Sequence, residues 1–147
     1  MQGNDLANTP APRIVLVAEG ALMFCDESNQ KKSERAMERR RWAEALSYWY
    51  INDLMANRLW DIALSADINL DVVTFLGPDD FAEELTRWLA HEELPVRSVF
   101  ASTPAILSRM ATFRKDIIRV YTPFPDQALR YGPKGVVLTD VNQVGRD

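Results

Sequence analysis

The stretch RIVLVAEGAL, residues 13–22, decides the fold. Its uninterrupted aliphatic run, residues 14–18, is short and therefore typical of a strand that is buried on both faces of a sheet. Gly20 follows at once and supplies the backbone freedom that a tight turn needs. The stretch predicts a buried first strand that ends in a glycine turn.

The rest of the chain alternates short apolar runs with helical patterns, which predicts an α/β fold with a doubly wound parallel sheet of about five strands. Residues 33–64 contain few helix breakers and a broad apolar stripe, and they predict one long helix or two helices in line after the first strand. The Ser33 hydroxyl is able to cap the start of this helical segment. The remaining predicted strands are 70–76, 96–101, 117–121 and 135–139, and the remaining helices are 79–91, 104–113 and 125–131.

Residues 13–22 also resemble the first motif of the haloacid dehalogenase-like (HAD-like) phosphohydrolases, a hydrophobic strand followed by Asp-x-Asp-Gly-Thr-Leu. On that pattern Val17 takes the position of the nucleophilic aspartate and Glu19 that of the acid/base aspartate. Gly20 matches the pattern, as does the leucine two residues later. The resemblance implies a HAD-like fold with a helical insert, but a valine can neither attack phosphorus nor bind a metal.

The later family motifs are also incomplete. Thr74 fits the Ser or Thr that contacts the transferring phosphoryl group in the family. The segment 102–107, where the family has its lysine, contains none. Thr122 stands at the usual acidic position of the last motif, and Asp126 follows four residues later. We therefore interpret Val17, Glu19, Gly20, Thr74 and Asp126 as a vestigial site, with no catalytic residue, no metal site and no cofactor.

The composition of the chain limits the kinds of site, partner and location that we expect. The chain has 147 residues, a net charge of -4, one cysteine and one histidine. An internal disulfide is excluded, a Cys/His zinc site or nucleophile is not indicated, and nucleic acid is not an expected partner. No apolar run reaches the ~20 residues of a membrane span, and no secretory signal pattern is present. We expect a polar tail over residues 1–12, one domain over 13–147, no membrane partner, and a location in the cytoplasm or in a viral particle.

A basic and aromatic segment follows the first strand. Arg39, Arg40 and Arg41 are consecutive, and the rings of Trp42, Tyr48 and Trp49 come shortly after them. Arginine and aromatic residues are enriched at the centres of protein interfaces, so these six residues are candidates for contact with a protein partner or a second copy. The alternatives are a solvated helix face for the arginines and core packing for the rings.

Three functions remain open. The first is a non-catalytic HAD-like protein, or pseudoenzyme, that works by self-association or assembly. Small degenerate members of this fold are similar to proteins of bacteriophages and their hosts, which suggests a role in a viral particle or a host-interaction complex. The second is a magnesium-dependent phosphatase or nucleotidase with an unorthodox site that uses Glu19, Thr74 and Asp126. The third is a binder of phosphorylated ligands that performs no reaction.

Overall fold

The structure is a computed structural model that describes residues 11–65 and 67–146. In this part of the chain the strands are β1 (Arg13–Val17), β2 (Met23–Cys25), β3 (Trp49–Ile51), β4 (Asn69–Thr74), β5 (Val99–Ala101), β6 (Ile117–Thr122) and β7 (Gly135–Val137). The α-helices are α1 (Glu27–Glu38), α2 (Trp42–Leu46), α3 (Asp53–Ser65), α4 (Asp79–His91), α5 (Pro104–Phe113) and α6 (Pro125–Arg130), with short 3-10 turns at Gly132–Lys134 and Val141–Gln143.

Five of the strands form one parallel sheet in the order β5-β4-β1-β6-β7. Numbered along the chain, the sheet strands are arranged 3-2-1-4-5, which is the order of a doubly wound, Rossmann-like sheet. The predicted α/β class and the parallel five-stranded sheet are confirmed. The chain leaves β1 in one direction and returns to its other side with β6, so the topological switch point lies between these two strands.

Apolar layers cover both faces of the sheet. On one face Leu16 and Val72 pack in a cluster with residues of α3 and α4, including Leu59 and Phe81. Residues of opposite parity, such as Val17, pack in a second cluster with α5. Burial on both faces explains the uninterrupted apolar run of the central strand β1, residues 14–17.

The prediction of continuous helix over residues 33–64 is wrong. This segment contains the end of α1, the short helix α2, the strand β3 and the helix α3, and β3 pairs antiparallel with β2 in a separate two-stranded sheet. The sequence Trp49-Tyr50-Ile51 consists of aromatic and β-branched residues that favour a strand. The apolar spacing fitted a helix, but pairing with residues far back in the chain decided the conformation.

Ser33 is likewise not an N-cap. It lies inside α1, which begins at Glu27, and its side chain is buried. The Ser33 hydroxyl donates to the carbonyl of Ala45 across 3.1 Å and accepts from Nε1 of Trp49 across 2.9 Å. One hydroxyl thus joins α1, α2 and β3.

The predicted tail, residues 1–12, lies outside the described residues except for Ala11 and Pro12. The carbonyl of Pro12 accepts a hydrogen bond from the backbone N–H of Asn69 across 2.9 Å, so Pro12 continues the pairing of β1 with β4. Within residues 11–65 and 67–146, no helix combines the length and the apolar character that crossing a bilayer requires.

Candidate functional site

The loop that follows β1 is a compact turn at the switch point of the sheet. The carbonyl of Ala18 accepts backbone hydrogen bonds from Leu22 at 2.8 Å and Met23 at 3.1 Å, and Gly20 donates to the Met23 carbonyl at 2.9 Å. Gly20 has a φ of 82°, in the left-handed region that a residue without Cβ adopts readily. The glycine of the sequence motif therefore serves the turn itself.

Glu19 extends from this turn toward the neighbouring strand β4. Its side chain is buried, with one carboxylate oxygen accepting from the Thr74 hydroxyl at 3.0 Å and the other from the backbone N–H of Phe75 at 2.7 Å. Burial raises the pKa of Glu19 above its usual value, although hydrogen bonds from Phe75, its own backbone and Thr74 act in the opposite direction. Both carboxylate oxygens are therefore engaged within the protein.

Two buried threonines end the strands on either side of β1. The Thr74 hydroxyl also accepts from the backbone N–H of Leu76 at 3.2 Å. In the same way the Thr122 hydroxyl accepts from the N–H of Phe124 at 3.2 Å and donates to Oε1 of Gln127 at 2.9 Å. Each hydroxyl closes the turn after its own strand, so both are occupied by structural hydrogen bonds.

The crevice beside β1 and β6 is covered by the loop after β6. A Cβ built on Gly20 would lie 3.0 Å from Cγ of Pro123 and 3.1 Å from Cζ of Phe124. The adjoining cavity, lined in part by Gly20, Asn52 and Pro123, measures only about 140 Å³. Pockets for small molecules typically measure about 300–1,000 Å³, so little room remains at this switch point.

The other predicted site residues lie apart from this cluster. Val17 is completely buried in the apolar cluster under α5. Asp126 is exposed in the first turn of α6, and its side chain makes no hydrogen bond or salt bridge with another described residue. Glu19 and Thr74 are in direct contact, and Gly20 is next to them in the chain. Over the described ranges, no three His, Cys, Asp or Glu side chains are grouped so as to hold a metal ion.

The six candidate interaction residues occupy different environments. Arg39, Arg40 and Arg41 are exposed in the connection between α1 and α2. The ring of Trp42 packs edge-on against Phe81 of α4, with centroids 5.8 Å apart, so this ring contributes to the domain interior. The last two residues, Tyr48 and Trp49, are both half-buried.

Sequence reasoning missed a groove between α1 and the loop after β4. Its cavity measures about 500 Å³. The lining residues are Gln30, Ser33, Glu34, Met37, Glu38, Trp49 and Leu76. The α1 members recur at helical spacing, but residues 26–32 are polar and carry no apolar period, so the sequence did not mark the start of α1 at Glu27. Likewise, nothing local in the sequence marks Pro123 and Phe124 as the cover of Gly20.

Comparison of the chain with models of protein families, with curated proteins and with solved structures gives no match. The class of protein is therefore defined by its own geometry, as a Rossmann-like α/β protein with a buried Glu19–Thr74 pair at the switch point.

Proposed function

We propose that the chain is a non-catalytic relative of the HAD-like phosphohydrolases that acts through protein–protein contacts. The observation that carries this proposal is the state of Glu19, whose two carboxylate oxygens accept hydrogen bonds from Thr74 and Phe75 inside the protein. A carboxylate held in this way is not directed at a substrate. In the proposed role it fastens β1 to β4.

The proposed relationship is supported by the central position of β1, the glycine turn that follows it and the strand order 3-2-1-4-5. The segment between β1 and β4, residues 18–68, would correspond to the insert expected from the resemblance. It contains the hairpin of β2 and β3 together with α1, α2 and α3. A role in assembly, including a phage particle or a phage–host complex, fits such a domain.

The absence of catalysis is supported by the residues at the strand ends. Val17 offers no nucleophile, and loss of a nucleophile costs on the order of a millionfold in rate in a well-studied hydrolase. Pro123 and Phe124 lie against Gly20, where a phosphoryl group would have to approach.

The proposal is tested by a phosphatase assay with magnesium and para-nitrophenyl phosphate on the full chain. We expect no turnover above the buffer rate, and no difference between the natural protein and Glu19→Gln. Glu83, an exposed residue of α4, supplies the control Glu83→Gln. Magnesium-dependent turnover that Glu19→Gln abolishes and Glu83→Gln retains would overturn the proposal.

One alternative is a magnesium-dependent phosphatase or nucleotidase that uses Glu19, Thr74 and Asp126, of which Glu19 and Thr74 are in direct contact. A second alternative is a binder of phosphorylated ligands near Gly20 and Thr74. Titration with inorganic phosphate and with a nucleoside monophosphate, followed by NMR of the Gly20 and Thr74 amides, tests the binder. Saturable shifts of these amides would favour it over the non-catalytic contact protein.

A further inference from the structure

The groove beside α1 has an apolar floor and an acidic wall. Met37 and Trp49 are half-buried there, and Leu76 retains 39% of its surface exposed. Glu34 and Glu38 are both exposed, and neither forms a salt bridge with another residue of the described ranges. The α1 residues that line the groove extend from 30 to 38, a length of about 12 Å at 1.5 Å per helical residue.

Positive charge follows immediately at the end of the same helix. Arg39, Arg40 and Arg41 are exposed, and the salt bridges found over residues 11–65 and 67–146 include none of them. Their backbone is fixed, because Arg40 has a φ of 57° and the N–H of Arg41 donates to the carbonyl of Ala36 across 2.9 Å. This arrangement is a helix C-terminal cap of the Schellman type. The arginines therefore keep a defined position relative to the groove.

We propose that this surface is the contact between two copies of the chain, related by a two-fold axis. In such an isologous contact, both copies use the same surface, so each contact between two residues occurs twice across the interface. The acids Glu34 and Glu38 of each copy would meet the arginine run, residues 39–41, of its partner. The apolar floor with Trp49 would lie at the centre, where interface aromatics contribute most.

A second copy is the occupant that the charges favour. The chain carries both halves of a complementary pair next to one groove, and neither half is neutralised within the described residues. A purely basic partner would suit the acidic wall but not the adjoining arginines, and a purely acidic partner would have the opposite conflict. This inference rests on the proposed contact function and identifies the surface and the partner for it.

The first test measures the mass of the full chain in solution by sedimentation. The 16.7 kDa chain is expected to form dimers, with a dissociation constant that increases as salt is raised from about 0.1 M to about 1 M. A chain that stays monomeric at every concentration would overturn the inference. The proposed non-catalytic function would survive that result, because it depends on the phosphatase assay and allows another partner.

The second test exchanges charges. The variant Glu34→Arg with Glu38→Arg and the variant Arg39→Glu with Arg41→Glu should each weaken self-association at least about 100-fold, because like charges then face each other. When the two variants are mixed, the new arginines of one face the new glutamates of the other, and the natural acids face the natural arginines. One-to-one heterodimers should therefore form. The exposed residues Glu83 and Arg109 supply the controls Glu83→Arg and Arg109→Glu, which should leave dimerisation unchanged.

The apolar floor is tested by Leu76→Asp, with Leu64→Asp as its control because Leu64 is exposed on α3. We expect only the first variant to lose dimers while both retain the circular dichroism spectrum of the natural chain. Dimers that persist in Leu76→Asp and in both charge variants would overturn this surface. A mixture of charge variants that remains monomeric would overturn the two-fold arrangement.

Discussion

The hydroxyl of Thr74 donates a hydrogen bond to the carboxylate of Glu19 across 3.0 Å. This bond joins the carboxyl ends of β4 and β1, which are neighbours in the sheet. Both side chains are buried, and the N–H of Phe75 occupies the second carboxylate oxygen. Glu19 therefore connects two strands, and because burial raises its pKa, its ionisation is coupled to folding.

Glu19→Gln should remove a pH dependence from the stability of the protein. Burial raises the pKa of Glu19 above 4.5, so the folded chain binds this proton more tightly than the unfolded chain. The free energy of unfolding should therefore fall as the pH rises from below 4.5 through the raised pKa, and Glu19→Gln should lack this fall. Urea unfolding across this pH window measures the difference. Identical pH profiles for the two proteins would contradict the prediction.

Thr74→Val should destabilise the protein by about 1.5–3 kcal/mol near neutral pH, because it removes a hydrogen bond to a buried carboxylate. The Thr74 hydrogen bond lowers the pKa of Glu19, so its loss should raise that pKa further and reduce the penalty in acid. The matched control is Thr122→Val, whose hydroxyl is equally buried but donates to the amide of Gln127. If the stability lost in Thr74→Val and in Thr122→Val changes equally with pH, Glu19 is not the cause of the pH dependence.

Gly20→Ala should destabilise the protein by about 2–5 kcal/mol. The left-handed backbone contributes about 1–2 kcal/mol for a residue with a Cβ, and contact with Pro123 and Phe124 adds an overpacking term of about 1–3 kcal/mol. Gly132 separates these two contributions, because its φ is 59° but no other part of residues 11–65 and 67–146 lies within 4 Å of the position of a Cβ. Thermal unfolding should show a smaller loss for Gly132→Ala. Equal losses of stability in the two variants would mean that Pro123 and Phe124 move away from the added methyl group without cost.

Ser33→Ala should destabilise the protein by about 1–3 kcal/mol, because it leaves the half-buried indole N–H of Trp49 without its acceptor. It also removes the hydroxyl donor to the Ala45 carbonyl, which keeps a hydrogen bond from the N–H of Tyr48 at 3.4 Å. Tryptophan fluorescence during urea unfolding measures the loss and also reports a changed environment for Trp49. Ser28 is exposed on the same helix, so Ser28→Ala should change stability by less than about 0.5 kcal/mol. Equal effects of the two variants would contradict the bridging role of Ser33.

Part of the site was predictable from the sequence. The first strand and its glycine turn followed from the local apolar run and from Gly20. The resemblance to the HAD-like motifs grouped Glu19 with Thr74, and the two side chains are in contact. The direction of the Glu19 side chain was not predictable. It depends on an N–H and a hydroxyl that β4 brings alongside β1 from a distant part of the chain.

The segment between β1 and β4 shows the opposite case. Trp42 and Trp49 lie at spacing that a helix also produces, and the apolar period alone therefore predicted helix through Trp49. In the structure, Trp49 pairs with Cys25 in an antiparallel ladder. Helical propensity is a weak preference, and tertiary contacts override it where a strand partner is available.

The sequence by itself determined the α/β class and the five strands of the parallel sheet, because short apolar runs that alternate with helical patterns are visible along the chain. It also determined that Val17 offers no nucleophile. Only the tertiary structure decided that Glu19 is bound by Thr74, that Phe124 covers Gly20, and that Trp49 lies beside the acids of α1. These relationships join residues far apart in the chain, and the packing of the folded domain sets them.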